Sequence, residues 1–194
     1  MWPWEHLVFG YLLYSLGGRA AGRERPGERD TYALAVATQL PDLIDKPLAW
    51  TFSVLPSGIS LAHSLAFAVP CCLLGWALAR RRSAPAVGTG FAVGYGSHLA
   101  GDSLYPLFTS GEAATSFLFW PFVARRPIED TAFLAEVSRL FARFQAFLAT
   151  PRGQAYLLGE VVVLALVVAL WVRDGRPGTG LLGVPRAVVR WARS

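Results

Sequence analysis

In the stretch GSHLAGDSLYP, His98 and Asp102 stand four residues apart, and in ATQLPDLIDKPLAW, Asp42 and Asp45 stand three apart. Both spacings put the paired side chains on one face of a helix. His63, in ISLAHSLAF, and His6, near the start of the chain, complete the set, so all three histidines belong to it. Neutral imidazole and carboxylate suit zinc and related first-row ions, and a bound dication offsets much of the cost of burying two or three carboxylates. The same residues can instead pair with one another as interhelical glue, and each taken alone reads that way. Taken together at one level, they favour a divalent metal, zinc foremost.

The surroundings make these residues costly. Of 194 residues, 54% are hydrophobic and 16% charged, with a mean hydropathy of +0.40. That balance departs from a soluble domain's and reads as an all-α, polytopic integral membrane protein. An Asp at the centre of a spanning helix costs about 2.5 to 3.5 kcal/mol on insertion scales, so an ionisable residue there is a functional hypothesis by default.

Four segments are suited to spanning: Thr31 to Trp50, Ile59 to Ala79, Ala84 to Phe108 and Ala155 to Val172. Each is near the roughly 20 residues that a helix needs to cross a hydrocarbon core. Met1 to Leu16 is shorter, with Trp2 and Trp4 suited to the interface, and makes the expected number of transmembrane helices four to five. Its Glu5 stands where a signal peptide carries positive charge, so the segment is expected to stay in the mature protein. Thr131 to Thr150 sets Phe133, Val137, Leu140, Phe144 and Phe147 on one face and Glu136, Arg139 and Arg143 on another, the pattern of an interfacial amphipathic helix. One membrane-embedded domain over 1–194 is expected, with ligand-bearing helices in 1–108, the interfacial helix at about 129–150, the last span at 155–172 and a basic tail at 173–194.

Arginine counts orient these spans. The loop GGRAAGRERPGERD carries four Arg, the turn at 80–82 three and the segment after Val172 five, whereas TFSVLPSG carries none and Thr109 to Gln154 five. The positive-inside rule then places the amino terminus outside and the basic carboxyl terminus in the cytoplasm. Counted from the outer helix ends, His6, Asp45, His63, His98 and Asp102 all fall within about 15 Å of the outer surface. Arg186, Arg190 and Arg193 share one helical face, which suits anionic lipid headgroups better than nucleic acid.

Several neighbours bear on the same region. Pro41 is expected to loosen its helix and free a backbone carbonyl. Gly90 and Gly94 continue the His98–Asp102 stripe and allow a neighbouring helix to come close. Ser64, Ser97 and Ser103 read as packing or supporting donors rather than nucleophiles, and Cys71 and Cys72 as packing residues. Glu160 either reaches the site or faces a polar seam, and Glu112, Glu129 and Asp130 either complete a coordination sphere or line a solvated loop.

In this order, His6, LPDLID, the His63-Ser64 pair and GYGSHLAGDSLYP resemble the membrane-bound metal-dependent hydrolases of the YdjM and YbcI type. The ligand order is also similar to that of the zinc-dependent phospholipase C and single-strand nuclease group, whose members carry a further His-rich helix. The resemblance implies hydrolysis of a phosphoester, lipid or lipid-linked for a site in the outer leaflet. It implies metal binding by His6, Asp45, His63, His98 and Asp102, with Asp42 as a further ligand or the base that orients the attacking water. Arg125 and Arg126 are placed to dock a phosphate headgroup, or to anchor the chain at the interface. A metal-ion transporter and a non-catalytic membrane scaffold remain as other classes.

Overall fold

The computed structural model describes residues 1–124 and 133–180. Arg125, Arg126, Glu129, Asp130 and the tail arginines Arg186, Arg190 and Arg193 lie outside the described residues. Within them the chain forms α1 (Pro3–Ala20), α2 (Glu28–Trp50), α3 (Leu65–Arg81), α4 (Pro85–Thr109), a 3-10 turn (Ser116–Phe119), α5 (Phe133–Leu148) and α6 (Pro151–Arg173). No strand occurs among the described residues.

Local chemistry starts these helices where the sequence has capping groups. The Glu5 carboxylate accepts from the Trp2 amide at 2.7 Å, and Asp30 from the Gly27 amide at 3.0 Å. Pro85 and Pro151 open α4 and α6, where a missing N–H costs nothing. Thr150 caps α6 by accepting from Gly153 at 3.0 Å.

One boundary differs from the sequence expectation in a way that matters. The apolar run from Ile59 reads as helix, but α3 begins at Leu65, with Ser64 as its cap accepting from the Phe67 amide. Residues 51–64 instead form a loop whose amides turn toward the Asp45 carboxylate, leaving His63 outside the helix. A second difference concerns Pro41 and Pro47, which lie inside an α2 that runs unbroken.

Helix α4 is the centre of the bundle, packed most extensively on α2 and then on α3 and α1. Glycines permit the α2–α4 approach. A Cβ at Gly94 would meet the Leu34 carbonyl oxygen at 2.5 Å, and one at Gly90 would collide with the Asp30 carbonyl. The stripe expected to admit a neighbour therefore admits the backbone of α2 itself.

The burial pattern is inverted relative to a water-soluble bundle. His6, Asp45, His63 and His98 are wholly buried, whereas Leu73, Leu74, Leu158 and Leu166 are 62%, 62%, 67% and 63% exposed. Broad apolar surface of this kind marks contact with lipid or with other protein. Among the described residues, α6 is the one helix long and uniformly apolar enough to cross a membrane by length and composition. Helices α1, α2 and α4 turn His6, Asp45 and His98 inward. Helix α5 is amphipathic, with Trp2 against its Phe144 at 4.9 Å between ring centroids. Glu136, expected on its polar face, is buried and bonded to Arg139.

Candidate metal centre

Four side chains from three elements converge at one end of the bundle: Asp42 of α2, His63 of the loop before α3, and His98 and Asp102 of α4. Each presents one ligand atom, and all four atoms lie within 4.8 Å of one another. His98 Nε2 is 3.0 Å from His63 Nε2. Asp102 Oδ2 is 3.4 Å from His63 Nε2 and 3.5 Å from His98 Nε2. Asp42 Oδ1 is 3.5 Å from His63 Nε2 and 3.9 Å from His98 Nε2. Donor atoms bound tetrahedrally at about 2.1 Å stand about 3.4 Å apart, so these spacings leave the four side chains able to hold a metal ion.

The outer faces of both rings fix their tautomers. His98 Nδ1 lies 2.7 Å from the Thr38 carbonyl oxygen, which can only accept, so this nitrogen donates. His63 Nδ1 lies 2.8 Å from Asp45 Oδ2 and donates to that carboxylate. In the neutral rings both Nε2 atoms then carry lone pairs, aimed at each other across 3.0 Å. Two facing lone pairs repel unless a proton or a cation lies between them, and a hydrogen-bonded Nδ1–H is the usual support of a metal-bound histidine.

Helix α2 supplies the Thr38 contact from within its unbroken run. Pro41 has no N–H to offer the Ala37 carbonyl. The neighbouring Thr38 carbonyl is the one that His98 uses.

Asp45 stands behind the cluster rather than within it. Its Oδ2 accepts from the Ser60 amide at 2.8 Å as well as from His63 Nδ1, and its Oδ1 from the Ala62 amide at 2.8 Å. Tyr95, wholly buried, holds the same loop by donating to the Ala62 carbonyl at 2.6 Å. Phe117 covers the His63 ring edge-on at 6.0 Å between centroids. Asp42, by contrast, turns Oδ1 toward the histidines and Oδ2 toward Lys46, 2.5 Å away.

His6 lies flat on His98, with centroids 3.8 Å apart and planes 13° from parallel. Its Nε2 is 3.4 Å from Asp102 Oδ1, and neither ring nitrogen has a hydrogen-bond partner. The two carboxylates are the accessible edge of the cluster, Asp42 keeping 10% and Asp102 11% of their side-chain surface exposed while the histidines keep none.

The remaining candidates stay apart. Ser97 and Ser103 donate to carbonyls of their own helix and Ser64 caps α3. Glu160 accepts from Trp4 Nε1 at 2.5 Å, and Glu112 is exposed. Two contributors escaped the sequence reading. Lys46, the single lysine, is four residues from Asp42, a spacing that signals a helical ion pair. At the far end of the bundle, Asp174 accepts from Tyr11 at 2.8 Å and Ser15 at 2.6 Å and pairs with Arg19, tying α1 to the end of α6.

A helical bundle that shows leucine and valine outward and encloses a His–Asp cluster has the make-up of a membrane-embedded protein with a polar centre. The chain belongs to the YdjM inner membrane protein family, whose family model matches residues 1–176. No curated protein and no solved structure matches it.

Proposed function

We propose that the chain is a multi-pass membrane protein with a divalent metal centre that hydrolyses a phosphoester. The facing Nε2 atoms of His63 and His98 carry this reading, because their Nδ1 partners leave both lone pairs pointing at one spot. His63, His98, Asp42 and Asp102 are the ligands. Asp45 is a positioning residue that orients His63. Two imidazoles with two carboxylates suit zinc among first-row dications. Three carboxylates face the Lys46 ammonium and the Met1 amino group, which lies 2.6 Å from Asp102 Oδ1, and the negative charge left over favours a cation.

A bound dication lowers the pKa of a coordinated water to about 7 and stabilises charge on a phosphoryl oxygen. The chain's own groups divide the remaining work. Asp42 and Asp102 form the edge through which a substrate oxygen approaches, and Lys46 places a positive charge beside Asp42. His6, with both nitrogens unpartnered and one facing Asp102, is positioned to hold a proton. With the amino terminus outside, the cluster lies in the outer half of the bilayer, α1 to α4 and α6 span, and α5 lies in the interface. Arg125 and Arg126 keep their proposed role at a phosphate headgroup.

A second reading has one observation in its favour. Four protein donors close a tetrahedral sphere, as in structural zinc sites, whereas catalytic sites keep a position open. The two readings separate on purified, metal-loaded protein screened against phosphomonoesters, phosphodiesters and phospholipids. Turnover abolished by His98→Ala supports hydrolysis. Full metal occupancy with no turnover of any class assigns the site a structural role.

A further inference from the structure

A cavity of about 710 Å³ opens beside the metal centre, between α1, α4 and α6. Its wall is mostly apolar, with Val8 and Leu12 of α1, Leu104 of α4, and Val163 and Leu164 of α6 among the lining residues. The polar groups it does contain are largely tied to one another. Tyr156 donates to Glu5, and Trp4 to Glu160. Arg152 is the single basic side chain in the lining, and its recorded hydrogen bond is to an uncharged acceptor, the Leu107 carbonyl, at 2.8 Å.

The cavity is elongated along the helices. From Arg152 to Leu164 the α6 wall rises about 18 Å at 1.5 Å per residue. Arg152 lies at one end, beside Leu107 and Phe108 near the end of α4, and the purely apolar residues lie at the other. Gly101 lines the cavity and precedes Asp102, and a Cβ there would collide with Met1 Sδ and stand 3.6 Å from His6 Nδ1.

We propose that this cavity receives the acyl chain of a phosphate-bearing membrane lipid, the lipid's phosphate lying at the Arg152 end. The proposal stands apart from the hydrolase reading and concerns a lipid site next to the candidate centre. Three features specify the occupant. A chain of the inner membrane family meets lipid along its helices. An apolar slot running with the helix axes matches an extended hydrocarbon tail, and one guanidinium at its end matches a phosphate, to which arginine binds through paired donors. A phosphate so held lies at the level of Leu107, about 9 Å along α4 from Gly101.

The test is lipid retention, read independently of turnover. Detergent-purified protein is incubated with dioleoylphosphatidylglycerol and examined by native mass spectrometry, wild type beside Gly159→Phe, Leu164→Trp and Arg152→Gln. Gly159 lines the cavity and a Cβ there meets nothing within 4 Å, so the larger side chain fills the slot without striking the backbone. Wild type is expected to retain one lipid, and the three variants to retain it at least tenfold more weakly with unchanged metal content. No retained lipid in wild type, or equal retention in all four proteins, overturns the proposal. Turnover of bis-p-nitrophenyl phosphate, measured in parallel on wild type, tests the hydrolase reading: its absence alongside variant-sensitive retention rejects the reading and keeps the lipid cavity.

Discussion

Asp45 and His63 meet at 2.8 Å, the carboxylate accepting the hydrogen bond of Nδ1 and leaving Nε2 toward the other three donors. The same carboxylate also gathers the amides of Ser60 and Ala62, so one side chain both folds the loop and aims the ring. Asp45→Asn keeps the size but weakens the acceptor. Metal affinity is expected to fall about 10- to 100-fold, the usual effect of losing such a support. Equilibrium dialysis against a buffered zinc series measures it, and affinity within twofold of wild type removes Asp45 from this role.

Asp45→Ala adds a folding cost, because buried amides lose their acceptor at about 1 to 3 kcal/mol each. The loop before α3 should become accessible to protease while α2 and α4 stay protected. Limited proteolysis in detergent reads this directly.

The α2–α4 contact makes a prediction independent of metal. Gly94→Ala brings a Cβ to 2.5 Å from the Leu34 carbonyl and should destabilise the protein by about 1 to 3 kcal/mol. Gly96→Ala, two residues on, meets nothing within 4 Å and should be neutral or stabilising by up to about 1 kcal/mol, as alanine is the better helix former. Thermal unfolding of the two variants side by side decides whether the glycine stripe is a packing surface.

These particulars separate what sequence carries from what it hides. The His98–Asp102 spacing and the glycines below it are visible in the chain because a helix repeats every few residues, and the level expected for His6, Asp45 and His63 follows from arginine counts that orient the spans. The different duties of Asp42 and Asp45 are not visible. Two aspartates three residues apart present the same chemistry until a loop folds onto one of them. His63 likewise looks helical within its apolar run, and only the amides drawn to Asp45 and the Ser64 cap hold it in a loop. Asp174 gave no signal, since its partners Tyr11, Ser15 and Arg19 are more than 150 residues away.

That distant cluster supplies a control. Asp174→Ala leaves Arg19 without its carboxylate, and losing one member of a largely buried ion pair costs about 3 to 5 kcal/mol when both charges are enclosed. Arg19 is 31% exposed, so the loss should fall below that range. Thermal stability should drop while metal content stays at the wild-type value. A parallel loss of metal would mean that the two ends of the bundle are coupled.

The most direct measurement is metal content by elemental analysis of detergent-purified protein: wild type, His63→Ala, His98→Ala and, as a packing control, Gly96→Ala. Helical content by circular dichroism confirms that each is folded. A centre built on the facing Nε2 atoms predicts a first-row dication in wild type and in Gly96→Ala, and its loss from both histidine variants. Near-zero metal in wild type after growth in zinc-replete medium, or undiminished metal in folded His63→Ala and His98→Ala, would contradict it.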